Sequence, residues 1–184
     1  MKNLIKIVLS GTLVFMAISM IQQWEAFVGG AAEGEIPAAS RAAAEAEAAQ
    51  AVRSFISLSR HLYAGGDRRF AERLPATEEV TAEILADVAY LRQNRRIQRA
   101  RLMGLQLLDV RLVVPGRAEV RTKEYWVTRI EDHASGRLTD PVRSEVVYAI
   151  YRVSRQSGGW RVVAWDPEDP PAPGPEPGAG EVRP

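Results

Sequence analysis

The chain has 184 residues and a formal net charge of +1, from 24 basic and 23 acidic residues. That length suits one globular domain with segments to spare, and the balance singles out no polyanionic partner. It contains no cysteine, which excludes disulfides, thiolate nucleophiles, thiolate metal sites and lipid attachment through an N-terminal cysteine.

The opening MKNLIKIVLSGTLVFMAISMIQQW carries an apolar run whose helical length matches a bilayer core of about 30 Å. A transmembrane helix is expected over residues 7–24, with Ile7, Leu13, Phe15, Ile18 and Ile21 facing lipid and Trp24 at the interface. Lys2 and Lys6 precede the run and the next basic residue is Arg41, so residues 1–6 are expected in the cytoplasm and the remainder outside it. A cleaved signal peptide would share the charged start and apolar middle. The bulky polar exit Gln22-Gln23-Trp24-Glu25 favours an uncleaved anchor in the cytoplasmic membrane.

Residues 25–39 read as a linker, because they lack apolar periodicity. A helix is expected from Ser40, as N-cap, to Gly65-Gly66, with Val52, Phe55, Ile56, Leu58, Leu62 and Tyr63 on one face. Its alanine-rich first half favours a stiff stalk. A second helix is expected from Thr77 to about Arg96, burying Ile84, Leu85, Val88 and Leu91. From Leu102 the pattern turns to strands: LMGLQLLDVRLVV, a Pro115-Gly116 turn, RAEVRTKEYWVTRIED, a polar loop, and a hairpin around Ser157-Gly158-Gly159. In the last strand Trp160, Val162 and Ala164 are expected inside, with Trp165 on the opposite face. Two helices followed by about four antiparallel strands make an α+β domain over residues 40–166.

The helix ending RHLYAGGD, the second helix and the closing YAIYRVSRQSGGWRVVAWD resemble the nuclear transport factor 2-like superfamily. The stretch LLDVRLVVPGRAEVRTKEYWVTRIED and the hairpin are similar to its membrane-tethered form in chloroplast division proteins. The resemblance implies a curved sheet closed into a cone by helices. It does not choose between catalysis in the cone and protein binding.

Acid or base chemistry in such a cone would draw on Tyr63, Asp67, Asp109, Tyr125, Glu145, Tyr148 and Tyr151. Each also has a structural reading. Asp67 after the glycine pair suits a turn or cap, and Tyr148 and Tyr151 fall on opposite strand faces. His61 and His133 are the only histidines, too few for a multi-histidine metal site, and His133 sits in a polar loop. No catalytic set, cofactor site or metal site is assigned.

Arg92, Arg95, Arg96, Arg99 and Arg101 cluster where the second helix is expected to end. Nucleic acid would suit the charge, but the expected topology places it outside the cytoplasm. A solvated helix end, anionic lipid headgroups or an acidic partner surface remain. In the tail over residues 167–184, proline is dense and the acids Glu168, Asp169, Glu176 and Glu181 face only Arg183. That composition is expected to stay extended and to serve as a spacer or strap, with Pro170, Pro171 and the neighbouring Trp165 meeting partners.

Together these features lead to the expectation of a non-enzymatic, single-pass membrane protein, an accessory or scaffold subunit of a larger membrane complex. Its partners would be the membrane and other proteins, not nucleic acid. The alternative is a small-molecule binding protein or an isomerase- or hydratase-like enzyme using the cone, with no particular ligand indicated.

Overall fold

A computed structural model describes residues 38–170. The expected membrane anchor from Ile7 to Trp24 and the tail from Pro171 onward lie outside the described residues. Among those described, no helix is long and apolar enough to cross a membrane.

Helix α1 spans Ala38–Gly65, beginning upstream of the Ser40 expected to cap it. Val52, Phe55, Ile56 and Leu62 are buried along its length, and Ala48, Ala49 and Ala51 are buried with them. The alanine-rich part is therefore a free stalk only over residues 38–43, which are exposed, and packs on the domain from Ala44 onward. Its small side chains let the helix approach the sheet closely, and Glu45 accepts a hydrogen bond from the Leu112 backbone N–H at 3.3 Å. The helix stops where Gly66 takes a φ of +59°, a conformation that costs glycine little.

A short helix not expected from the sequence, α2 (Arg68–Glu72), follows, with Asp67 as its N-cap accepting from the Arg69 N–H at 3.0 Å. Helix α3 spans Glu78–Gln93 behind the Thr77 N-cap and buries Val80, Ile84 and Val88. It ends short of Arg96, because Arg95 adopts a φ of 57° and turns the chain into the sheet.

The sheet contains β1 (Arg96–Val114), β2 (Arg117–Asp132), β3 (Arg143–Gln156) and β4 (Gly159–Glu168), antiparallel in chain order. The first strand starts upstream of Leu102, the second matches its expected limits, and the last continues past Asp166 to pair Glu168 with Tyr148. The 75–77 segment covers the free edge of β4, with Val162 N–H donating to Pro75 O at 2.8 Å and Thr77 N–H to Val162 O at 3.0 Å.

Strand β1 is interrupted by three register shifts, which leave Met103, Leu108 and Val113 without partners. Each shift resets the alternation, so Leu102, Leu105, Leu107, Val110 and Leu112 all reach the core on the helix side. We call that side the inner face. A fourth shift, between Arg152 and Val153, makes Val163 the extra residue of β4.

The β4 shift corrects one expectation. Trp160 and Val162 are buried as anticipated, but Trp165 lies opposite Tyr151 and packs against the same core instead of on the other face, while Ala164, expected inside, lies opposite Arg152 on the outer face. Asp166 is correspondingly turned outward, where it pairs with Arg152.

Candidate functional site

Along β2, Val120, Thr122, Glu124 and Trp126 are two residues apart and so share the inner face. The apolar sequence of inward positions breaks at Thr122 and Glu124, yet Thr122 is fully buried and Glu124 only 3% exposed. Burying a carboxylate without partners would be costly, and here its oxygens are occupied. Thr122 Oγ1 and Tyr151 Oη donate to Oε1 at 2.7 and 2.8 Å, and Trp126 Nε1 donates to Oε2 at 2.7 Å.

Tyr151 reaches the carboxylate from β3 and is held from the other side by Phe55 of α1, whose ring meets it edge-on at 5.9 Å. Burial, reinforced by the adjacent carboxylate and its hydrogen bond, keeps the Tyr151 phenol well above the ordinary tyrosine pKa. At pH 7 the phenol is a donor. Trp126 is half-exposed, so the Oε2 side of Glu124 is the side nearest solvent. A carboxylate offers about four lone-pair positions, of which three are taken by the protein's own donors.

The sequence pattern pointed to Tyr151 but not to Glu124, because a charged residue within a strand reads as outward-facing. The available signal was its spacing from Val120 and Trp126.

Of the other anticipated residues only Glu145 adjoins this cluster. Tyr63 donates to Asp87 Oδ2 at 3.0 Å, linking α1 to α3, and burial with the nearby carboxylate raises its pKa. Asp67 serves as the cap of α2, its pKa lowered by the Arg69 side chain. Asp109 is exposed on the outer face opposite Arg121. Glu145 lies opposite Trp126 on the inner face, beside the cluster but at the exposed end of β3. His61 stacks on Phe70 at 4.9 Å, and His133 occupies a turn where its backbone N–H donates to Arg95 O. Among the described residues no group of three or more His, Cys, Asp or Glu could hold a metal ion.

Tyr125 and Tyr148 flank Lys123 on the outer face. Lys123 Nζ lies 5.3 Å from the Tyr125 ring centre and 5.4 Å from that of Tyr148. Hydrogen bonding to the two phenols raises the lysine pKa. The Tyr125 ring covers Gly104 of β1, where an added Cβ would come within 3.1 Å of Cδ2. Tyr125 is 39% exposed and Val146, opposite it on β3, 49%.

The arginine cluster does not leave a helix as expected, since Arg96, Arg99 and Arg101 belong to β1. Arg92 donates to Gly65 O and ties α3 to the end of α1. Arg95 approaches Asp132 at 3.9 Å, Arg96 approaches Asp140 at 3.8 Å, and Arg99 and Arg129 share Glu131 at 2.7 and 2.8 Å. Arg101 is exposed and has no ion pair among the described residues. Much of the basic run is thus balanced by its own domain. Pro170 is exposed after the end of β4.

No protein-family model matches the chain, and no curated protein matches its sequence. Solved structures do resemble it. The intermembrane space region of the chloroplast protein ARC6 aligns over 67% of this chain and 95% of its own length, with a TM-score of 0.58 and 15% identity. A domain of unknown function with a cystatin-like fold from Nostoc punctiforme covers 68% of this chain and 76% of its own, at a TM-score of 0.41 and 18% identity. A structure from Catenulispora acidiphila covers 69% and 91%, at 0.40 and 15%. The likeness to the chloroplast domain establishes a shared α+β fold.

Proposed function

We propose that this chain is a non-enzymatic, single-pass membrane protein of the nuclear transport factor 2-like type. It acts as an accessory or scaffold subunit of a membrane complex and binds other proteins through its extracytoplasmic domain and proline-rich tail. The observation carrying this reading is that most of the anticipated acids and tyrosines are dispersed: Tyr63, Asp67, Asp109, Tyr125 and Tyr148 lie apart from Glu124, whose oxygens already accept three donors from its own chain, Tyr151 among them, while Glu145 stands at the exposed strand end beyond Trp126. The exposed apolar surface at Tyr125 and Val146 is consistent with recognition. The apolar run over residues 7–24 behind Lys2 and Lys6 supports an anchor with the domain outside.

Purification from membranes in mild detergent should recover the chain together with other proteins. Recovery of this chain alone would count against the scaffold reading. Protease added to intact spheroplasts should digest the domain and spare the N-terminus, whereas a protected domain would reverse the topology.

A second reading, a small-molecule binding protein or isomerase-like enzyme, is favoured by the pairing of Glu124 with Tyr151 beside half-exposed Trp126. Native mass spectrometry of the purified protein tests it. A bound small molecule lost on Glu124→Gln substitution would support that reading over the scaffold.

A further inference from the structure

On the outer face, three adjacent strands bring together Gly104, the ring of Tyr125 lying over it, and the side chain of Val146. The next row contains Lys123 opposite Tyr148. This surface carries two aromatic rings and unbalanced charge: neither Lys123 nor Arg101 forms an ion pair among the described residues. The neighbouring cations differ, since Arg99 and Arg129 share Glu131 and Arg121 meets Glu168 at 3.5 Å.

The chain itself leads to this surface. Strand β4 ends with Glu168 opposite Tyr148, its carboxylate on the outer face with Arg121. The chain then continues PAPGPEPGAGEVRP over residues 171–184. At about 3.1 Å per residue in an extended proline-rich conformation, that stretch reaches about 40 Å. Crossing from β4 to β1 requires three strand spacings of about 4.8 Å each, so the tail can cross the sheet with residues to spare. Proline-rich segments pack well on exposed aromatic rings, because little conformational freedom remains to be lost. The tail also contains Glu176 and Glu181, two carboxylates for two unpaired cations.

We propose that residues 171–184 of the same chain fold back across the outer face, laying prolines on Tyr148 and Tyr125 and placing Glu176 and Glu181 near Lys123 and Arg101. This goes beyond the scaffold reading and does not depend on it. A partner that used the same face would have to displace the tail.

The test uses the full chain in mild detergent with a benzophenone amino acid at Ala179. Irradiation should give intrachain adducts on residues 101–106 or 123–127, identified by mass spectrometry. Lys123→Glu, with circular dichroism unchanged, should lower their yield about five-fold, the scale of an exposed charge pair, and added salt should lower it too. Intrachain adducts elsewhere, or no adduct above background, would overturn the proposal. Adducts joining two chains at the same residues would replace it with tail exchange between copies. A yield indifferent to Lys123→Glu and to salt would remove the electrostatic half of the argument and overturn the stated pose.

Discussion

Replacing Glu124 with leucine separates the cost of unpartnered donors from the cost of lost packing. Leucine keeps much of the volume but strands three donors: Thr122 Oγ1, Tyr151 Oη and Trp126 Nε1. Two of the three residues are nearly inaccessible, Thr122 at 0% and Tyr151 at 5%. At about 1 to 3 kcal/mol for each buried unsatisfied group, those two donors cost about 2 to 6 kcal/mol. The indole N–H, on the half-exposed Trp126, can turn to water and adds little. Tyr151→Phe alone should cost less, about 1.5 to 3 kcal/mol, the range for one hydrogen bond to a charged group, because Thr122 still serves Oε1. The informative variant combines Glu124→Leu, Thr122→Val and Tyr151→Phe. It removes acceptor and buried donors together and should recover most of the loss, as apolar replacement of whole buried polar clusters often does. Urea denaturation of each full-length variant, followed by tryptophan fluorescence, supplies the free energies. If the triple variant is no more stable than Glu124→Leu, unpartnered donors are not the source of the cost.

Trp160→Ala should cost about 3 to 5 kcal/mol by opening a cavity and freeing Glu47, which accepts from the indole at 3.1 Å. Trp165→Ala should cost less because that ring is already half-exposed, and thermal melts in which it costs more would refute the packing order. The folded-state pKa of Tyr151 is raised above its unfolded value near 10, so this residue's contribution is fully present below pH 10 and declines as pH rises beyond it. Melts at rising alkaline pH should therefore fall, and Tyr151→Phe should fall less steeply. Gly104→Ala should displace the Tyr125 ring, since the new Cβ would stand 3.1 Å from Cδ2, and the shift should appear in the Tyr125 ring resonances. Unchanged resonances would contradict the close contact.

Strand β2 was legible because Pro115-Gly116 and the polar loop after Asp132 mark both of its ends. The final hairpin was legible for a related reason: Gly159 takes a φ of +106°, and its neighbours alternate cleanly. The bulges were not. Gly104 beside Met103 was the one local cue, while Leu108 and Val113 are apolar residues with no adjacent glycine or proline to announce the slip in register. Val163 hides the slip in β4 in the same way, which is why Trp165 was assigned to the wrong face. At Glu124 alternation pointed inward but the residue type pointed outward, and hydrogen bonding from Tyr151, distant in sequence, overrides the preference of a carboxylate for solvent. The arginines could be counted from the sequence, but their neutralisation by Glu131, Asp132 and Asp140 depends on tertiary pairing.

The hydrogen bond between Glu47 and Trp160 spans 113 positions, and it has a consequence for the order of folding during synthesis. Every strand pairs with its neighbour in sequence, so the sheet can zip up hairpin by hairpin. Helix α1, in contrast, emerges first and gains its full seat only when β4 has been made. At about 5 to 20 residues per second, the stretch from Gly65 to Glu168 takes roughly 5 to 20 s to synthesise. For that interval the apolar stripe of Val52, Phe55, Ile56 and Leu62 lacks the strand that completes its cover, so the nascent chain exposes apolar surface that the finished protein buries.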